Sequence, residues 1–288
     1  MTQIPGTPAS STLHGTPSTA PGDFHNRHIL VTGAASGIGA AVARQLLALG
    51  ARVSAVDLQA QGLQALHAAA PLDGPQATSP AHPKLWTATL DVRDAAQVEQ
   101  ITAQAEAALG PLDGLASVAG VLEMGEVVDL DDAQWAHCFD VNATGVFHVC
   151  RSVARRLRAR RTGAMVVVSS NAAATPRAGM AAYAASKAAV TQFSRCLGLE
   201  LAPHGIRVNI VSPGSTDTAM QQAMWALGSS RDTVIRGDAA HWRLGIPLGK
   251  IATPDEIAAS VLFLLSDQAS HITLHDLRVD GGATLDQG

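Results

Sequence analysis

The segment Val31-Thr32-Gly33-Ala34-Ala35-Ser36-Gly37-Ile38-Gly39 constrains the fold of this chain more than any other. An apolar run, His28 to Val31, leads into it, and an Ala/Leu-rich stretch, Ala40 to Leu49, leads out. That pattern predicts a strand, a tight glycine turn and a helix. Glycines let the backbone turn sharply and approach a ligand closely. The free N–H groups and positive dipole end of the helix then suit a pyrophosphate. The spacing is Gly-x-x-x-Gly-x-Gly, not Gly-x-Gly-x-x-Gly. Strand and helix nevertheless flank the loop as a phosphate-binding role requires. Gly33, Ser36, Gly37, Ile38 and Gly39 are therefore candidate cofactor contacts. The alternative is a loop of small residues without a ligand.

Asp57 ends the second apolar run, Arg52 to Val56, eighteen residues after Gly39. An acidic side chain there hydrogen-bonds the ribose hydroxyls of NAD. It would also repel a 2′-phosphate, and Leu58 and Gln59, not Arg, follow it. Asp57 also has the residue type of a helix N-cap. NAD is the cofactor these residues favour.

Tyr183 and Lys187 stand four residues apart, and Ser170 lies thirteen residues before Tyr183. Four residues is one helical turn, so the phenol and the ammonium share a face. A neighbouring cation favours phenolate and draws the phenol below its ordinary value near ~10. A group so tuned takes a proton from an alcohol at working pH. Tyr-x-x-x-Lys by itself is also an ordinary solvated helix face. Ser170 and Asn142 taken singly read as well as a polar strand end and a helix cap.

Composition narrows the class. Nearly half of the 288 residues are hydrophobic, enough for a sizeable core, while the net charge of −4 argues against a general nucleic-acid binder. No apolar run reaches the length of a membrane span. Cys138, Cys150 and Cys196 are scattered and odd in number. They suggest neither disulfides nor a zinc site, and a reducing cytoplasm fits. The histidines show no ligand pairing, so no metal is expected.

Residues Met1 to Asn26 are rich in Pro, Thr, Ser and Gly and lack the pattern of a signal peptide, so a disordered extension is expected there. Residues 27–288 then read as one domain. Its strand-like runs are His28–Val31, Arg52–Val56, Leu85–Leu90, Gly114–Val118, Ala164–Ser169, Ile206–Val211 and Leu277–Val279. They alternate with helical stretches. Alternation of this kind gives an α/β fold, a single doubly wound parallel sheet of Rossmann type with helices on both faces. A Pro-rich loop, Pro71 to Pro83, precedes the third strand, and a lid is expected over Thr216 to Pro247. The Arg-rich stretch Arg155 to Arg161 reads as a solvated helix terminus, where the macrodipole favours cations.

Together these motifs resemble the short-chain dehydrogenase/reductase family, over about Arg27 to Gly282. The resemblance implies a catalytic tetrad of Asn142, Ser170, Tyr183 and Lys187. It implies cofactor contacts from the glycine loop, Asp57, Leu58, Asp91, Val92, Ala119, Gly120, Tyr183, Lys187, Pro213, Gly214, Thr216 and Thr218. Asn142 is expected to position Lys187 through water. The chain departs from the family at Ser117-Val118-Ala119-Gly120, where Asn-Asn-Ala-Gly is usual. The two small residues remain, so cofactor binding is expected to survive while the local bracing differs.

The segments Thr175 to Met180, Ser212 to Thr218, Leu244 to Ile251 and Ala269 to Asp276 resemble the branch of that family that oxidises 2,3-dihydro-2,3-dihydroxybenzoate. That branch supplies the catechol of siderophores. The resemblance implies a small anionic cyclohexadiene-diol substrate, a cytoplasmic enzyme, and a homotetramer built through the helices carrying Asn142 and Tyr183. Ser170, Arg177, Met180 and Tyr183 are the candidate substrate contacts. Arg177 lies six residues before Tyr183, flanked by Pro176 and Gly179, and its guanidinium suits a carboxylate. Met220, Met224 and Trp225 would wall the cavity or equally fill the lid's own core. Two other readings stay open: a 3-oxoacyl carrier-protein reductase, and a non-catalytic dinucleotide sensor.

Overall fold

A computed structural model describes residues 23–69, 84–226 and 230–285. Seven strands form one parallel sheet: β1 (His28–Thr32), β2 (Arg52–Asp57), β3 (Leu85–Thr89), β4 (Gly114–Ser117), β5 (Gly163–Val168), β6 (Ile206–Pro213) and, after a short two-stranded ladder, β9 (Asp276–Val279). Their order is β3-β2-β1-β4-β5-β6-β9. Each expected run became a strand, with ends shifted by one or two residues. The ladder pairs β7 (Gly237–Asp238) with β8 (Arg243–Leu244) in antiparallel fashion.

Alternation along each strand explains why helices cover both faces. Ile29 and Val31 of β1 pack with α1 (Gly37–Ala48), α2 (Ala60–Ala69) and α9 (Pro254–Leu265). Leu30 between them packs with α3 (Ala95–Leu109), α5 (Val146–Arg160) and α6 (Ala181–Leu201) on the other side. On β5, Val166 and Val168 face the first cluster, and Met165 and Val167 the second. A period of two with apolar residues on both faces is the mark of a buried parallel sheet.

The order of winding reverses between β1 and β4, which are hydrogen-bonded parallel neighbours. Loops leaving their carboxyl ends diverge there and open a crevice, the general ligand site of such sheets. The glycine loop leaves β1 and Ser117 to Gly120 leave β4, so the fold itself places them side by side.

Two expectations change in the structure. The boundary at Asn26 falls too late: Phe24 is fully buried in the core and the Asn26 N–H donates to the Gly50 carbonyl, so the packed body begins by Asp23. The rest of the extension, Met1 to Gly22, and the loop from Pro71 to Pro83 lie outside the described residues. The Arg-rich stretch is not simply solvated. Arg156 bridges Glu99 (2.8 Å) and Glu106 (3.1 Å), and Arg160 also reaches Glu106 (3.1 Å), tying α5 to α3.

The lid leaves the body at Thr216, which pairs with Ala252. It carries α7 (Ala219–Ala226), α8 (Arg231–Arg236) and the β7–β8 ladder. Val234 and Ile246 of this segment pack with Ile251 and Ala283 of the body in a small cluster, against which Trp225 also packs.

Candidate active site

Two adjoining cavities occupy the crevice. The first is a groove lined by Gly33, Ser36, Gly37, Ile38 and Gly39 on one side. Asp57, Leu58, Asp91, Val92, Ala119 and Gly120 line the other. Close packing explains its glycines. A Cβ at Gly39 would lie 2.0 Å from the Gly33 carbonyl oxygen, and one at Gly33, where φ is +69°, would lie 2.8 Å from the Ala119 nitrogen. Ser36 at the N-cap of α1 makes no side-chain capping bond, so the helix start keeps donors for an anion. This arrangement fits the phosphates of a dinucleotide.

Asp57 braces the same loop. Its carboxylate accepts from the Ala35 N–H (3.0 Å) and the Gln59 N–H (2.8 Å). It stands at the end of β2 on the groove wall, where a ribose diol would reach it. Arg93 also lines this groove, but the Asp91 carboxylate holds its guanidinium at 2.6 Å. That bond also keeps the Asp91 carboxyl below the usual carboxylate range. The departure after β4 is braced by Thr32, whose hydroxyl accepts from the N–H groups of Val118 (3.0 Å) and Ala119 (3.2 Å).

The second cavity gathers the expected hydroxyl-activating and substrate-contact residues. Ser170, Arg177, Met180, Tyr183, Lys187, Pro213, Gly214, Thr216 and Thr218 all line it. Ser170 follows β5 and caps a short 3₁₀ turn, accepting from the Ala172 N–H at 3.1 Å. Tyr183 and Lys187 occupy the first two turns of α6, and the Ser170 hydroxyl hydrogen-bonds the phenol. Ile38, Gly120 and Thr218 line both cavities, so a ligand in the groove reaches the hydroxyl cluster.

Asn142 does not line either cavity. It is fully buried in a π-helical turn, Asp140–Gly145, between α4 (Asp132–Phe139) and α5. Its Oδ1 accepts from the Val121 N–H (2.8 Å), while its Nδ2 donates to the Val121 carbonyl (2.9 Å) and the Ser186 hydroxyl (3.0 Å). Asn142 thus ties the strand end after β4 to α6. A Cβ at Gly120 would lie 3.1 Å from its Oδ1 and 3.3 Å from Lys187 Nζ, so the three groups crowd one point. Such π-turns recur at functional sites because they re-aim one residue of a helix.

The electrostatics differ from the sequence expectation. Burial pushes the Tyr183 phenol up; the Ser170 hydrogen bond opposes that rise and Cys138 adds to it. The Lys187 ammonium donates to the Val168 carbonyl at 3.0 Å and stands 5.8 Å from the Tyr183 ring centroid. Burial draws it down to about 8. Desolvation therefore outweighs the Ser170 hydrogen bond, the reverse of the lowering that four-residue spacing suggests.

Arg177, in the loop between β5 and α6, is half-buried, and its guanidinium makes no hydrogen bond or ion pair among the described residues. Burial lowers its guanidinium, and the Asp280 carboxylate partly offsets this. Sequence reasoning missed two neighbours in this cavity, Gln221 and Arg243. Both sit on the lid, outside any spacing that marks them. The described residues hold no cluster able to bind a metal, and no described helix is long and apolar enough to cross a membrane.

Comparison with known proteins agrees with this geometry. Residues 33–284 match the family model described as enoyl-(acyl carrier protein) reductase. The 2,3-dihydro-2,3-dihydroxybenzoate dehydrogenase of Bacillus subtilis (strain 168) is 50% identical, the match covering 88% of this chain and 95% of that protein. The enzyme of the same name from Escherichia coli (strain K12) is 44% identical, covering 91% and 99%. The crystal structure of levodione reductase superposes with a TM-score of 0.83 at 30% identity, covering 91% of this chain and 99% of that one. With its sheet order, glycine cradle and Ser–Tyr–Lys cluster, the chain belongs to the short-chain dehydrogenase/reductase family.

Proposed function

We propose that this protein oxidises 2,3-dihydro-2,3-dihydroxybenzoate to 2,3-dihydroxybenzoate with NAD, supplying catechol for siderophores. The carrying observation is Arg177, a half-buried guanidinium that makes no hydrogen bond or ion pair among the described residues and lines the same cavity as Ser170 and Tyr183. A cation opposite a hydroxyl-activating pair suits a small cyclic alcohol bearing a carboxylate. The 44% and 50% identities to proteins of that name support the reading.

NAD, when bound, supplies the hydride acceptor. Ser170 donates to the substrate oxygen and stabilises charge as the alcohol becomes a carbonyl. Tyr183 takes the hydroxyl proton in its ionised form. Its raised value means that this form is scarce at neutral pH, so oxidation should quicken as pH rises. Lys187 supplies positive charge beside the ring, and Asn142 fixes the α6 turn that carries both residues. Loss of the neighbouring ring proton then gives the aromatic product.

The reductase alternative draws no support from Arg155 to Arg161, since Arg156 and Arg160 are engaged by α3 rather than offered to a carrier protein. The sensor alternative expects a broken tetrad, and here Asn142, Ser170, Tyr183 and Lys187 are all present, the last three in one cavity. A cytoplasmic location is supported by three free cysteines. Homotetramer assembly is supported by a groove between α5 and α6 lined by Phe147, Phe193 and Leu197. The deciding experiment incubates purified protein with the dihydrodiol acid and NAD. NADH and catechol absorbance should rise together at equal molar rates. NADH without catechol, or neither, would overturn the assignment.

A further inference from the structure

Arg243 belongs to β8 on the lid, yet its half-buried side chain lines the same cavity as Arg177 on the body. Its Nη2 donates to the Ser215 hydroxyl at 3.1 Å. A guanidinium carries five donors, so most of its capacity is unspent. The carboxylates that act on this pair are engaged elsewhere. Asp238 is bonded to His241 and to the Ala240 N–H. Asp280 is bonded to Asn171, Thr284 and the Gly282 N–H. The two cations disfavour each other, and burial disfavours both.

Met180, Met220 and Met224 supply the apolar walls. Two like charges held in such surroundings are costly until an anion joins them. A further donor points to the same ligand. Gln221 on α7 lines the cavity, is only 7% exposed, and its Nε2 has no hydrogen-bond partner among the described residues. A buried unpaired amide is rare in proteins unless something else satisfies it.

We propose that Arg243 reads the substrate carboxylate jointly with Arg177, with the Gln221 amide donating to a second substrate oxygen. Because Arg177 sits on the body while Arg243 and Gln221 sit on the lid, the shared anion fastens lid to body. This rests on the proposed reading for the identity of the acid, but not for the existence of an anion clamp. A planar fork that grips a carboxylate with two parallel bonds is specific to Arg, so Lys should replace it only in part.

The test compares wild type with Arg243→Met, Arg243→Lys and Arg177→Met. Each is assayed on the dihydrodiol acid and on the neutral dihydrodiol lacking the carboxylate. Each is also titrated with 2,3-dihydroxybenzoate while tryptophan emission is followed, Trp225 lying on the lid. Arg243→Met should raise KM for the acid about ten- to 100-fold, leave the neutral diol nearly unchanged, and abolish the emission change. Arg243→Lys should recover part of the affinity. The double Met variant should lose less than the product of the single losses, because one anion is shared.

An Arg243→Met enzyme within twofold of wild type on the acid overturns the proposal, as does equal damage to charged and neutral substrates. If Arg243→Met does not fold, the lysine variant decides by the same acid-to-neutral ratio. The two readings fail differently. A wild type that binds the aromatic acid through Arg243 but does not oxidise the dihydrodiol would sink the assigned reaction and leave the clamp standing.

Discussion

Asp57→Ala should shift cofactor preference toward NADP by about 100-fold or more. In the wild type, a ribose hydroxyl bonded to the carboxylate is worth about 1.5–3 kcal/mol. A 2′-phosphate about 4 Å away would be repelled by about 1 kcal/mol per charge pair in water and about 4 at the effective dielectric near a protein surface. Both differences disappear in the variant, and about 1.4 kcal/mol is tenfold. Asp57 is half-buried on an open groove wall, so the lower ends apply. The variant also frees the Ala35 and Gln59 N–H groups, which loosens the glycine loop for either cofactor. The informative quantity is therefore the ratio of kcat/KM for NAD to that for NADP, measured on one alcohol at fixed ionic strength. In wild type the ratio should fall at about 1 M salt, where the Debye length shrinks to about 3 Å. A wild type that prefers NADP, or a variant whose ratio moves less than threefold, would refute this account of Asp57.

Tyr183→Phe keeps the ring and deletes the proton acceptor, so kcat should fall at least ~10²–10⁴-fold while NAD titration is nearly unaltered; a variant within tenfold of wild type would remove Tyr183 as the base. Truncation after Asn26 takes Phe24 from the core, and Phe24→Ala isolates that loss. A buried Phe→Ala change costs about 3–5 kcal/mol, so thermal unfolding should show a midpoint roughly 6–20 °C lower; a shift under 2 °C would mean that Phe24 contributes little. His28 is fully buried, with Nδ1 donating to the Gly110 carbonyl (2.7 Å) and Nε2 accepting from the Ser54 hydroxyl (2.8 Å), and burial lowers its pKa. Below ~6.5 the unfolded chain then holds more protons than the folded one, so acidification should erode stability by up to about 1.4 kcal/mol per pH unit, while above ~6.5 this group contributes no slope. Denaturant midpoints across pH 5 to 8 check this, and His28→Gln should flatten the acid limb; an unchanged limb would assign the effect to other groups.

The strands, their alternation with helices and the glycine turn were legible because each rests on local rules. Side chains alternate along β1, so Ile29, Leu30 and Val31 reveal a strand buried on both faces before any partner is known. The four-residue spacing of Tyr183 and Lys187 fixes a shared helix face for the same reason. Neighbouring residues could not disclose what depends on distant segments meeting. Phe24 looks like part of a polar tail until Asn26 bonds Gly50 and the core closes around the ring. Asn142 taken singly reads as well as a helix cap, yet a π-turn aims it at Val121 and Ser186. Arg243 belongs to no motif, and only the return of the lid sets it with Arg177 in one cavity. The direction of the Tyr183 shift turned on burial in the same way. Spacing and composition determine which faces are apolar and which side chains are neighbours along the chain. Desolvation and charge–charge proximity are set by the whole packed body, so tertiary structure alone decided the electrostatics of this site.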